Sequence, residues 1–305
     1  MPASFPREGV LAALAIPTDK EGRLLKTALA NHIEWLRERK VHGILALGST
    51  GEFVRFSLDE RKAILETIAE LTAPLPVLAN ISDISPSVVA ELGRFARELN
   101  LPGVAVMPPS FYPVSPADQL AHFLNAAEAF GGPVVLYNFP ELTGNRIGIE
   151  TIAQFADQAQ MAGIKQSGGE FSYHHDLIAL GQEKGYSVFS GADTRLPKVF
   201  AMGAVGCIGG LVNFVPEDMV EIFEIVRQGK AGDTEAPRQR LCEVGEWLGR
   251  LTFPLNVTAG LEARGIEVGA PKTLVSPTSR IRYQEIVTGL RGCFERWGFA
   301  EAGLK

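Results

Sequence analysis

The feature that constrains this chain most is a regular change of hydrophobic period. From Val10 onward, short apolar segments rich in Val, Ile, Leu and Ala alternate with longer stretches of helical period, the pattern of repeated βα units with a parallel sheet. The predicted strands are Leu11 to Ile16, Gly43 to Leu47, Pro76 to Asn80, Gly103 to Met107, Pro133 to Tyr137, Ala162 to Lys165, Ser187 to Ser190 and Gly206 to Gly209, eight in all. Helical runs lie between them. Leu58 to Leu71 follows Ser57, Pro86 to Leu99 follows Ser85 and Pro116 to Phe130 follows Ser115, each opened by a residue suited to an N-cap. Pro216 to Arg227 follows the eighth strand, and proline is well tolerated at a first helical position, where its missing N–H has no helical acceptor. Eight units by about residue 228 of 305 match a (β/α)8 TIM barrel, which typically takes about 250 residues. A doubly wound open sheet is the alternative, but no GxGxxG follows the first strand and no Walker loop is present. After Gly229 the rhythm stops, and Arg238 to Leu251 and Ser279 to Trp297 read as helices joined by a Gly- and Pro-containing connection. The expected division is a catalytic barrel over 1–228 and a helical region over 229–305. That region is short and has Trp247 and Trp297 to bury, so it is expected to pack on the barrel.

Charge and cysteine content narrow the ligand class. A net charge of -6 without any Lys/Arg cluster argues against nucleic acid and against an acidic membrane surface, which leaves a small molecule as the expected ligand. Cys207, Cys242 and Cys293 are odd in number and form no CxxC, so neither a disulfide framework nor a zinc site is indicated. Met1 to Val10 has prolines and an Arg7-Glu8 pair where a secretory signal would carry a basic segment and a long apolar run. With no membrane span to follow, a cytoplasmic location is expected.

In a barrel of this kind catalytic side chains come from the C-terminal ends of the strands and the loops after them. Strand two runs into Gly48-Ser49-Thr50-Gly51-Glu52, strand four into Met107-Pro108-Pro109-Ser110-Phe111-Tyr112 and strand five into Tyr137-Asn138-Phe139-Pro140. Strand six ends in Lys165, followed by Gln166 and Ser167, and strand seven ends in Ser190-Gly191-Ala192-Asp193. An ammonium held where a buried strand meets a loop loses water, which disfavours its charged form and favours a nucleophilic amine of the kind that forms Schiff bases. The glycines around Ser49 and Thr50 let backbone N–H groups and hydroxyls approach a small carboxylate. His174-His175-Asp176 does not read as a metal site, because adjacent helical residues point in different directions and no third ligand is near in sequence. His32, His42 and His122 read as structural or exposed. Glu52 reads as a buried carboxylate that secures its loop by accepting N–H bonds.

The motifs GSTGE, YNFP, GIK, SGAD and GCIGG, in that order and at those strand positions, resemble the class I aldolases of the dihydrodipicolinate synthase and N-acetylneuraminate lyase superfamily. The resemblance runs from about Val10 to the C-terminus. It implies a (β/α)8 barrel with a C-terminal helical region, usually a homotetramer, whose lysine forms a Schiff base with the ketone of pyruvate or another 2-keto acid. No metal or organic cofactor is implied. On this resemblance Lys165 is the Schiff-base lysine and Tyr137 the phenol that moves protons and orients the keto acid. Ser49 and Thr50, with Gly51 beside them, contact the substrate carboxylate, and the two hydroxyls join the proton relay. The backbones of Gly191 and Ile208 line the same pocket. Tyr112 corresponds to a tyrosine that completes a relay across a subunit interface, although Pro109-Ser110 departs from the usual TPYY pattern and Phe111 competes for that place.

Two departures bear on the substrate. Dihydrodipicolinate synthases carry an arginine two residues after the YNxP proline to hold the second substrate's carboxylate, and this chain has Leu142 there. Arg146, a little further on, is expected to serve the loop or a subunit contact. Sialic acid lyases hold a long sugar tail with polar groups after strands six to eight; Ser167 and Asp193 keep that character here, whereas Thr194 and Gly210 replace a glutamate and a serine. The resulting expectation is a lyase that cleaves or forms the C3–C4 bond of a short 2-keto-3-deoxy sugar acid. Alternatives are a 4-hydroxy-tetrahydrodipicolinate synthase, a keto-deoxy acid dehydratase and, outside catalysis, a keto-acid-binding protein.

Overall fold

A computed structural model describes residues 4–299. Its eight strands are β1 (Gly9–Ala13), β2 (Gly43–Ala46), β3 (Val77–Asn80), β4 (Gly103–Val106), β5 (Val134–Asn138), β6 (Met161–Gln166), β7 (Ser187–Ser190) and β8 (Gly206–Gly209). They pair in chain order, all parallel, and β8 returns to β1 through pairs such as Leu11 with Ile208, which closes a barrel. Because side chains alternate across a strand, the barrel has two cores. Leu11, Ala13, Leu45, Leu78, Val135 and Tyr137 belong to an inner cluster, whereas Val10, Ala12, Ile44 and Leu136 belong to the larger cluster under the helices.

Every predicted strand is present, and only the first has a boundary displaced by more than one residue. The first begins at Gly9 and leaves the sheet after Ala13, although Leu14 and Ile16 are buried and continue the apolar run. Hydrogen bonding, which hydrophobicity does not report, ends the ladder: Leu14 N–H still reaches Leu45 O, but Ala15 N–H turns to the side chain of Asn213.

The helices are α1 (Lys26–Glu38), α2 (Leu58–Thr72), α3 (Pro86–Glu98), α4 (Pro116–Phe130), α5 (Pro140–Thr143), α6 (Ile149–Gln158), α7 (Tyr173–Lys184), α8 (Leu196–Ala201), α9 (Pro216–Arg227), α10 (Glu235–Leu248), α11 (Leu255–Ala263) and α12 (Pro277–Trp297). Ser57 opens α2 with a reciprocal capping box to Glu60, and Ser115 accepts from the Asp118 N–H at the start of α4. Ser85 does not cap α3 with its side chain; its hydroxyl lies 2.9 Å from that of Ser87 instead. The connection between α10 and α12 contains α11, which sequence reading missed because its residues carry no clean amphipathic period. Arg264, just after α11, is buried against Glu217 of α9 at 2.5 Å, and its guanidinium lies 4.8 Å from the ring centre of Phe299. Gly289 of α12 passes so close to Trp247 that a Cβ there would come within 2.3 Å of the indole. No helix among the described residues is long and apolar enough to cross a membrane.

One irregularity sets the direction of Lys165. Val134 pairs with Met161 but Val135 pairs with Gly163, so Ala162 is an extra residue in β6. Such a bulge re-aims the side chains that follow it. After it, Tyr137 pairs with Lys165 and Lys165 with Phe189, which puts the lysine in the inward-facing set beside Tyr137.

Candidate active site

Lys165 is only 4% exposed, and its Nζ lies 4.1 Å from the centre of the Tyr137 ring. The Tyr137 phenol is 2.8 Å from Ser49 Oγ, so the hydroxyls of β5 and of the β2–α2 loop form a continuous hydrogen-bonding pair next to the amine. All three line a cavity of about 380 Å³ with Thr50, Ser167, Gly191, Asp193 and Ile208. The residues that the sequence placed on different strand ends are therefore together. Phe139, Phe171 and Leu211 give this cavity apolar walls, and Phe253, Asn256 and Val257 close it from the segment around α11. Sequence reading missed these last three, which reach the cavity through tertiary packing from the C-terminal region.

Asp193 supplies the one carboxylate among the lining residues. Its Oδ2 accepts from Leu211 N–H at 2.9 Å, while Oδ1 is buried without a partner. Gly209 is needed beneath it, since a Cβ at that position would fall 2.3 Å from Oδ1. Burial pushes the Asp193 carboxyl up to about 6, against the opposing pull of the Leu211 N–H and the Lys165 charge. A carboxyl whose folded value is raised binds more protons folded than unfolded, so its ionisation erodes stability as pH rises from about 4 through 6. Asp193→Asn is therefore expected to gain in melting temperature over the wild type between pH 4 and pH 7, measured by thermal unfolding of both proteins at each pH. A constant difference between them would place the ionisation elsewhere.

Two predicted members lie apart from the cavity walls. Gly51 packs under the loop, where a Cβ would come within 2.8 Å of Leu14 O. Tyr112 is 64% exposed and Phe111, at a left-handed φ of 79°, is 82% exposed; their rings meet edge to face on the β4–α4 loop. Within one chain neither ring reaches Lys165 through the cavity. His174 bridges Phe171 O and Ser190 Oγ, and His32 reaches Asn213 O, with burial holding its imidazole down at about 4. His122 sits similarly on Met107 O, and Val10 N–H donates to His42 Nδ1. Among the described residues, no group of three His, Cys, Asp or Glu is placed to hold a metal ion.

A family model described as the dihydrodipicolinate synthetase family matches residues 6–291. The chain belongs to that family. The family comprises lyase and synthase enzymes. Two curated relatives are named 4-hydroxy-tetrahydrodipicolinate synthase. That of Methanococcoides burtonii is 28% identical, across 94% of this chain and 99% of its own length. That of Methanopyrus kandleri is 30% identical, across 88% of this chain and 90% of its own. Among solved structures, YagE, a prophage protein of the dihydrodipicolinic acid synthase family from E. coli K12 in complex with pyruvate, superposes with a TM-score of 0.87. It is 26% identical, covering 93% of this chain and 98% of that one. CdNal from Clostridium difficile, solved with mannosamine, shares the fold at a TM-score of 0.84 and 21% identity over 93% of this chain and 99% of its own.

Within this dihydrodipicolinate synthetase family member, the two positions that bear on a second carboxylate are now placed. Leu142 is 48% exposed and lies on an adjoining apolar pocket of about 200 Å³ with Met107, Val54 and Phe253. Arg146 is not turned to the main cavity; it makes a two-pronged ion pair with Glu170, at 2.6 and 2.9 Å, over the ring of Tyr173. Arg146, expected to serve its loop or a subunit contact, thus ties the segment before α6 to the β6–α7 loop.

Glu52 secures its loop differently from the sequence reading. It sits in the left-handed region at φ 58°, and its carboxylate accepts from the side chains of Arg55 and, at 3.2 Å, Lys272, rather than from backbone N–H groups. Lys272 arrives from the α11–α12 connection, whose Ala270 N–H also bonds Thr18 O. The loop bearing Ser49 and Thr50 is thus tied to a segment more than 200 residues away. Lys272→Met is expected to destabilise the fold by about 1–3 kcal/mol, since Glu52 keeps one partner but loses the other in a mostly buried setting. Urea unfolding of Lys272→Met, Glu52→Gln and the double variant checks it: the double should lose less than the sum of the singles.

Proposed function

We propose that this chain is a class I lyase that joins or splits pyruvate and an aldehyde through a Schiff base at Lys165. The observation that carries the reading is the buried lysine against Tyr137, with the Tyr137 phenol hydrogen-bonded to Ser49, in one cavity. The uncharged amine adds to the C2 carbonyl of a 2-keto-3-deoxy acid, and the carbinolamine hydroxyl leaves as water with the proton of the Tyr137 phenol, giving a protonated imine and a tyrosinate. The protonated imine then takes up the electron pair of the C3–C4 bond. As that bond breaks, the C4 hydroxyl gives its proton to Tyr137, releasing an aldehyde and leaving the pyruvate enamine. Protonation at C3 and hydrolysis free pyruvate and restore the amine. Thr50, Ser49 and the neighbouring backbone N–H groups receive the C1 carboxylate, and the backbones of Gly191 and Ile208 hold the reacting chain between them. Lys165 is the one lysine among the lining residues, so no second amine competes for the carbonyl.

For the aldehyde we retain a short hydroxylated chain, so that the substrate is a 2-keto-3-deoxy sugar acid. Leu142 offers a carboxylate no hydrogen bond, while Ser167, Asp193 and Thr194 offer hydrogen bonds to hydroxyls. A second reading, 4-hydroxy-tetrahydrodipicolinate synthase, is favoured by the names of the curated relatives. It uses the same enamine but adds it to aspartate semialdehyde. Assays of pyruvate release from a panel of 2-keto-3-deoxy acids, set beside condensation of pyruvate with aspartate semialdehyde, separate the two by kcat/KM. Preference for aspartate semialdehyde over every sugar acid would establish the synthase. Loss of substrate without pyruvate release would instead mark a dehydratase, and no turnover of any compound a binding protein. For assembly we keep the homotetramer, with Phe111 and Tyr112 as rings that a subunit contact at their loop would cover; light scattering in solution measures it.

A further inference from the structure

The main cavity contains a second fixed charge that the proposed chemistry does not use. Arg195, on the short turn Asp193–Arg195 after β7, lines the same cavity as Lys165 and Asp193. Its guanidinium lies 5.1 Å from the ring centre of Phe171, another lining residue, and Lys198 Nζ lies 5.2 Å from the same ring. Among the described residues neither cation has a carboxylate within ion-pairing distance, whereas Arg146, Arg240 and Arg264 all do. Arginine is charged at any accessible pH and matches a carboxylate with two parallel N–H donors. Laid against an aromatic face, it is held at the cavity with its charge uncompensated by the protein.

We infer that Arg195 selects a substrate whose far end, opposite the keto acid, carries a carboxylate. The inference rests on the Schiff-base reading for which end of the substrate sits at Lys165, and it adds an anionic terminus to the hydroxylated chain proposed above. It also relocates the clamp: the charge missing at position 142, after β5, is supplied at the end of β7, two strands further round the barrel. Sequence reading passed over Arg195 although it stands two residues after Asp193, because the family motif ends at the aspartate.

The test compares two aldehydes that differ only at the terminal carbon. Tartronate semialdehyde carries a carboxylate there, and glyceraldehyde carries a hydroxymethyl group. Condensation of each with pyruvate is measured as kcat/KM for the wild type, Arg195→Leu and Arg195→Lys. The expected result is a wild-type preference for the acid of about 10- to 100-fold, the range of a charge-assisted hydrogen-bonded pair, lost in Arg195→Leu and partly kept in Arg195→Lys. Added salt should reduce the preference, since the guanidinium faces solvent. A wild-type preference below about twofold, or a preference unchanged in Arg195→Leu, overturns the inference. Titration with glutarate and with butyrate reads the same residue without turnover: tighter binding of glutarate must likewise vanish in Arg195→Leu. Trapping of pyruvate on Lys165 in the same preparations reports on the Schiff base separately, so that a failure there is not mistaken for a failure of Arg195.

Discussion

Lys165→Met is expected to lower turnover by about 10⁴-fold or more, the scale seen when an enzyme loses its nucleophile, while leaving the barrel folded. Methionine keeps much of the aliphatic stem that packs between Tyr137 and Phe189, so apolar contacts survive and the amine alone is removed. No ion pair holds the lysine ammonium among the described residues, so its removal strands no bound carboxylate; the nearby Asp193 loses only a favourable charge. Far-ultraviolet circular dichroism should match the wild type, and the loss should appear in kcat. Turnover within about tenfold of wild type would show that the imine forms elsewhere or not at all.

The second large effect belongs to the phenol. Tyr137→Phe removes one oxygen from a buried ring and leaves its packing on the barrel interior intact, so the fold should persist. Turnover should fall by about 100-fold or more, the usual contribution of a positioned proton donor and acceptor. Ser49 Oγ loses its 2.8 Å partner, so the relay is broken at its first step. The effect should appear in kcat more than in KM if, as proposed, keto-acid binding draws also on Thr50 and the loop N–H groups. Equal losses in both would mean that the phenol chiefly holds the substrate.

Strand count and order were legible because each strand of a parallel barrel is buried on both faces and writes an unbroken apolar run between helices. The convergence of Ser49, Tyr137, Lys165 and Asp193 was legible for a related reason: every parallel strand points its C-terminal end to one rim, so strand-end positions translate directly into a shared site. What escaped was long-range. Lys272 meets Glu52 and Phe253 closes the cavity because a helical segment folds back over the barrel, and no local pattern in either stretch announces the meeting. The bulge at Ala162 also left no clear mark, although it decides which way Lys165 faces. Tyr112 was a different case. The resemblance gave it a part in a relay across a subunit interface, and on this chain it stands on the surface.

The central claim is that Lys165 forms a covalent imine, and reductive trapping tests it most directly. Incubation with saturating pyruvate and borohydride should convert the imine to a stable secondary amine, adding the mass of a reduced pyruvoyl group to the intact protein. Peptide mapping should place that mass on Lys165, with none acquired by Lys165→Met. Recovery of unmodified Lys165 after reduction, or the same adduct on the methionine variant, would contradict the account.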